Sequence, residues 1–276
     1  MMRTSLVALA ACAALLAGCE TAETTKQGVV GVDRQQRFLV SEKDVEDSAK
    51  KQYTAMMADA QKKGALDKDA AQVARVKAIV GRLIPQTAVF RPDATKWAWE
   101  AHVLTSSEVN AWCMPGGKMA VYSGLIEKLQ ATDDELAAVM GHEISHALRE
   151  HSREAISRQM ATQTAVGVAG AIFGIGDLGQ SLGNMVADVT LNLPNSRTNE
   201  TEADRIGVEL AARAGYNPQS AISLWQKMAK LNSGGQPPKW LSTHPANEDR
   251  IKDLQVYAQK VEPLYQAAKS GPSAGK

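Results

Sequence analysis

The chain has 276 residues, with 31 lysines and arginines against 30 aspartates and glutamates and a formal net charge of +1. A balance that close leaves no basic footprint for nucleic acid. The length suits one hydrophobic core, or a core with an appended helical layer, and no internal repeat is visible.

The N-terminus carries a compartment signal. Met1-Met2-Arg3 is a short basic start, an apolar run follows from Leu6 to Leu16, and Leu16-Ala17-Gly18-Cys19 closes it. This resembles a bacterial lipoprotein signal, with lipid on Cys19. The run is too short to span a bilayer, which takes about 20 residues. Glu20 after Cys19 favours delivery to the outer membrane. The expected division is a signal peptide at 1–18, a lipidated polar tether at 19–36, a folded domain at 37–268 and a frayed tail at 269–276. Cys12 leaves with the signal, so Cys113 is the one thiol left and no internal disulfide can form. It reads as a small buried hydrophobe.

Helices are expected at 41–63 and 67–83, then a small sheet between Trp97 and Tyr122. The strand 97–104 puts Trp97, Trp99, Ala101 and Val103 on one face and Ala98, Glu100 and His102 on the other, with His102 an ordinary strand residue. Pro115-Gly116-Gly117 is a turn, and the strand after it, Lys118 to Tyr122, reads as an exposed edge. Such an edge can pair with an extended peptide through main-chain hydrogen bonds.

The densest chemistry lies in His142-Glu143-Ile144-Ser145-His146. The expected helix, 133–149, opens on a capping box, Thr132 with Glu135, and its apolar residues recur on nearly every face, so it should be buried. Spacing of four stacks both imidazoles one turn apart, the arrangement that holds a zinc ion with a carboxylate beside it. Catalytic zinc takes three protein ligands. A third histidine in the H-E-x-x-H-x-x-G-x-x-H pattern fails, because Arg149 and Ser152 stand at the glycine and histidine positions. His151 is one place off, in a run (150–154) that reads as solvated. A second helix, 200–214, supplies a carboxylate instead. Asn199 can cap it, Glu200 can bind the metal, and Asp204, four residues on, can accept the other N–H of a ligand histidine. Glu202 points off that face.

Further helices are expected at 154–170, 218–231 and 247–265. The segment 165–182 is glycine-rich and apolar, and reads as a mobile stretch: a flap over the cleft, a membrane contact or a buried helix with a loop. His244, before Pro245, lies in the loop that opens the last helix, and with Arg250 it could serve chemistry or simply cap and pair.

Five stretches carry a family resemblance: Asn110-Ala111 with Pro115-Gly116-Gly117; Tyr122-Ser123-Gly124-Leu125; the helix through Glu135 and His146; Ser196-Arg197 onward through Glu200, Asp204 and Gly207; and Thr243-His244-Pro245 with Asp249-Arg250-Ile251. In this order, over most of 100–255, they resemble the HtpX/CAAX-prenyl-protease-type family of gluzincin metallopeptidases, in its periplasmic lipoprotein branch. The resemblance implies a predominantly helical α+β, zincin-like fold with a small sheet. It implies one Zn²⁺ per chain on His142, His146 and Glu200, with Glu143 as general base. It makes Gly117, Lys118, Met119, Ala120 and Val121 the substrate-aligning edge strand, and brings His244 near the metal. There His244 would stabilise the oxyanion or latch the open metal position, and Arg250 is a second candidate to hold transition-state charge. The implied activity is a zinc metalloendopeptidase acting on misfolded or immature envelope proteins, lipid-anchored on the periplasmic face. The alternative is an outer-membrane protein assembly factor or chaperone with a latched metal site.

Overall fold

The computed structural model describes residues 20–165, 178–232, 238–245 and 248–270. Cys19, most of the glycine-rich segment and the last six residues lie outside them. The elements are β1 (Glu20–Ala22), β2 (Gln36–Phe38), α1 (Glu42–Lys62), α2 (Ala70–Leu83), two 3₁₀ turns, β3 (Glu100–Leu104), β4 (Ala111–Met114), β5 (Lys118–Tyr122), α3 (Ser123–Lys128), α4 (Asp133–Leu148), α5 (His151–Ala165), α6 (Leu178–Leu191), α7 (Arg197–Arg213), α8 (Ser220–Asn232), α9 (Lys239–Thr243) and α10 (Glu248–Ser270). No described helix is long and apolar enough to cross a membrane. The outcome is the helical α+β fold with a small sheet that the sequence implied.

The three-stranded sheet has the order β3-β5-β4, with β3 parallel and β4 antiparallel to β5. It separates two cores, because alternate side chains leave opposite faces. Ala101, Val103, Cys113, Met119 and Val121 join the larger core with α2, α4, α7, α8 and α10. Leu104, Trp112, Met114 and Ala120 join a smaller one with α1, α5 and α6. Cys113 is thus buried among apolar groups, as expected.

The centre of the larger core is α4, where every residue from Glu135 to Leu148 is buried. Its capping box forms: Thr132 Oγ1 accepts from Glu135 N–H at 3.2 Å, and Glu135 Oε2 accepts from Thr132 N–H at 2.9 Å. α7 crosses α4 at near contact of backbones. A Cβ on Gly207 would meet the backbone nitrogen of His142 at 2.7 Å, and one on Gly141 the Gly207 carbonyl oxygen at 2.8 Å. Glycine at both positions lets the two helices come this close.

Several expectations change. Residues 20–36 are not a free tether. β1 and β2 pair, Val30 and Val32 are 1% and 4% exposed, and Glu209 Oε2 accepts from the N–H groups of Val29 and Val30 at 2.9 and 3.1 Å. A polar composition hid that this segment finds its partners far along the chain. α7 begins at Arg197 with Ser196 as its cap, whose Oγ accepts from Asn199 N–H at 3.2 Å, so Asn199 is inside the first turn. α10 continues to Ser270, past the expected domain end at 268. Of the glycine-rich segment, Ala165 ends α5 and residues 178–182 open α6, which runs on to Leu191, while 166–177 lie outside the described residues.

Candidate active site

α4 presents His142 and His146 on one face, both buried, with their Nε2 atoms 3.0 Å apart. α7 brings Glu200 against them. Its Oε2 is 3.6 Å from His142 Nε2 and its Oε1 is 3.4 Å from His146 Nε2. Glu200 is 1% exposed, and neither oxygen makes a well-formed hydrogen bond. Arg250 pairs with it, with Nη1 at 2.6 Å from Oε2. Burial alone would raise the Glu200 pKa, but His244, His146 and Arg250 outweigh it and hold the carboxyl far below the ordinary range.

A cation fits this arrangement. Asp204 Oδ1 lies 3.0 Å from His142 Nδ1. A carboxylate only accepts, so that nitrogen carries a proton, and in the neutral ring His142 Nε2 is the lone pair aimed at its neighbours. Two imidazole nitrogens and a buried carboxylate converge on one point. His142, His146, Glu200 and His244 each offer one donor atom within 4.8 Å of the others. Two imidazoles and a carboxylate suit zinc.

Asp204 is gripped in turn. Arg250 donates from Nε to Oδ2 at 2.7 Å and from Nη2 to Oδ1 at 2.8 Å. It also donates from Nη1 to Pro245 O at 3.0 Å, and its guanidinium lies 4.2 Å over the Trp225 ring. Arg250 is 4% exposed and pairs with both Asp204 and Glu200.

His151 also departs from expectation. Glu150, with φ of 50°, ends the run out of α4 and turns the chain into α5. His151 is thereby folded back and 1% exposed, and Glu150 and Arg153 are buried too, so the run is not solvated. Its Nδ1 faces His146 Nδ1 at 2.9 Å and its Nε2 faces Glu202 Oε2 at 3.1 Å. Burial pulls its pKa down to about 3 despite Glu202, so the ring is neutral.

Glu143 points to the other side of the metal donors. Its Oε1 accepts from Trp240 Nε1 at 2.7 Å and lies 3.4 Å from His244 Nε2. Trp240 is 1% exposed and stacks on the His244 ring at 4.7 Å. Its backbone N–H donates to Val109 O at 3.1 Å, which fixes α9 beside the start of β4. His244 Nδ1 lies 2.9 Å from Thr243 Oγ1 and 3.1 Å from Trp240 O, so its Nε2 faces the site. Burial lowers its pKa to about 4, leaving a neutral donor. Trp240 was invisible in the sequence, because 97 residues separate it from Glu143 and no spacing rule links them.

β5 is not an edge. Both its sides are paired, so residues 117–121 have no free main-chain groups to offer a peptide. Lys118 itself is buried, with Nζ donating to Glu100 Oε1 at 2.6 Å. The outer strands are β3 and β4, and β4 is the one that lies against α4. Chain order concealed this, because β5 inserts between the two strands that precede it.

The sequence has relatives among characterised proteins. The chain is 34% identical over 175 residues to mitochondrial metalloendopeptidase OMA1 of Saccharomyces cerevisiae, covering 61% of this chain and 49% of that protein. It therefore spans about half the length of that relative. It is 27% identical over 254 residues to metalloprotease YcaL of Escherichia coli, covering 91% of this chain and 95% of that protein. It is 30% identical over 187 residues to the beta-barrel assembly-enhancing protease of Escherichia coli, covering 64% and 38%. The sequence pattern of one family runs through α2 to α10, residues 70–258, and takes in every donor of the cluster. With that match, the chain belongs to peptidase family M48.

Proposed function

We propose that this protein is a zinc-dependent endopeptidase of the bacterial cell envelope that cleaves misfolded or immature envelope proteins. The observation that carries this reading is the convergence of His142, His146 and Glu200 from two helices, with the Glu143 carboxylate beside them. Zinc, when bound, supplies the charge that acidifies a water and polarises the scissile carbonyl. His142, His146 and Glu200 hold the ion, and Asp204 fixes the tautomer of His142. Glu143 takes the proton from the attacking water and passes it to the leaving amine. The Trp240 indole N–H holds Glu143 in place at 2.7 Å. An extended substrate would add to the sheet at β4, the outer strand next to α4, rather than at β5. Periplasmic location and a lipid anchor on Cys19 belong to the same proposal. Labelled palmitate that persists in Cys19→Ala would overturn the anchor.

The test is metal analysis of the purified protein with a casein assay, with and without chelator. Glu143→Gln should keep zinc and fold and lose proteolysis; casein degradation at the wild-type rate would sink the assignment.

One observation favours a second, compatible reading. His244 is the fourth donor of the cluster and faces Glu143, and α9 is tied to Val109 next to β4. In this closed arrangement His244 latches the position a substrate needs, which suits an assembly factor or a protease held dormant. His244→Ala should then raise casein cleavage; an unchanged rate overturns the latch, and a lower rate assigns His244 to the oxyanion instead.

A further inference from the structure

The two histidine donors have unlike supports behind them. His142 leans directly on a carboxylate, Asp204. His146 leans on another imidazole, His151, which leans on Glu202. Glu202 is buried and takes donors from three elements: His151 Nε2, Arg149 Nε at 3.0 Å and Arg34 Nε at 2.6 Å. Arg149 has no exposure and donates from Nη2 to Arg34 O at 2.9 Å, so the two arginines brace each other.

The order of protons along this row follows from its end. An ionised carboxylate accepts only, so His151 Nε2 carries the hydrogen. A neutral imidazole has one hydrogen, so His151 Nδ1 is bare and can only accept. His146 Nδ1 must therefore donate, which in the neutral ring leaves Nε2 as the lone pair on the side of Glu200 and His142. If the row were only an ion cluster, Arg149 and Arg34 would satisfy Glu202 without an imidazole between it and His146.

We infer that His151 and Glu202 are positioning residues that fix the tautomer and ring orientation of His146 as a metal ligand, and that Arg34 braces them from outside the family-matched residues. The inference rests on the metal-site reading above. Arg34 lies in the segment 20–36, ahead of the match at 70–258, so this packed N-terminal stretch contributes to the metal site through Glu202.

The test measures zinc affinity of the metal-free whole chain by competition with a chromophoric chelator, with no substrate present. His151→Phe keeps ring volume and removes the acceptor; it should weaken binding about 10–100-fold. His151→Asn places an oxygen near the lost Nδ1 and should restore most of the affinity, which a purely space-filling role does not explain. Affinity in His151→Phe within twofold of wild type overturns the inference. Should that variant fail to fold, ¹⁵N-histidine spectra of the zinc-loaded wild type decide. They should show His151 protonated at Nε2 and His146 at Nδ1, and the opposite tautomer of His151 overturns the inference. The underlying reading fails separately: wild type would bind no zinc, or His142→Ala would bind it as tightly.

Discussion

The supports behind His142 and His146 solve the same problem with different parts. Behind His142 stands one carboxylate clamped by one bidentate arginine, Asp204 with Arg250, on α7 and α10. Behind His146 stands a longer row, His151 and Glu202, clamped by Arg149 and by Arg34 from the N-terminal segment. The first support is dry and short. Arg250 is 4% exposed, whereas the Arg34 side chain is 33% exposed. Burial makes a broken pair costly, so the two supports should differ sharply in what their loss does.

Breaking the short support should have the largest effect. Asp204→Ala takes from the buried Arg250 guanidinium one of its two carboxylates, and removal of one partner of a buried ion pair costs about 3–5 kcal/mol. Chemical denaturation of the metal-free protein should show that loss, with zinc affinity falling as well. Next comes the helix crossing that lets both supports exist. Gly207→Ala puts a Cβ 2.7 Å from the His142 backbone nitrogen, and overpacking of this kind costs about 1–3 kcal/mol. Because α7 carries Glu200, Glu202 and Asp204, this change should weaken zinc binding together with stability. A smaller effect is expected from Arg34→Ala. Arg149 remains on Glu202, so zinc affinity should fall by at most about tenfold, with the melting curve nearly unchanged. A fall as large as that of Asp204→Ala would erase the contrast between the supports.

The smallest effect is a control at the far end of α4. Glu135 is buried, which alone would raise its pKa, but Lys227, the Thr132 N–H and Ser223 bring it below its ordinary value. A depressed folded-state pKa means the stabilisation is fully present above the unfolded value, about 4.3, and is lost as pH falls from there through the lower folded-state value. Thr132→Ala should cost about 1 kcal/mol at neutral pH and leave zinc affinity unchanged. Glu135→Gln should flatten the acid limb of the stability curve. A change in zinc affinity in either variant would show that the whole helix, rather than its last turns, sets the donors.

What the chain shows by itself is whatever depends on neighbours one turn away. The four-residue spacing of His142 and His146, the Thr132–Glu135 box and the shared face of Glu200 and Asp204 are local, because a helix repeats every 3.6 residues. The glycines of the α4–α7 crossing are printed in the sequence too, but only the packed helices reveal their use. Tertiary structure alone decided the rest. It put β5 between β3 and β4, carried Trp240 onto Glu143, folded His151 back onto His146, and wrapped residues 20–38 around the end of α4. Each of these joins groups through a sheet order, a left-handed turn or a contact over 90 or more residues. The driving force is burial, which pairs polar groups wherever the chain brings them together and leaves no periodic trace in the sequence.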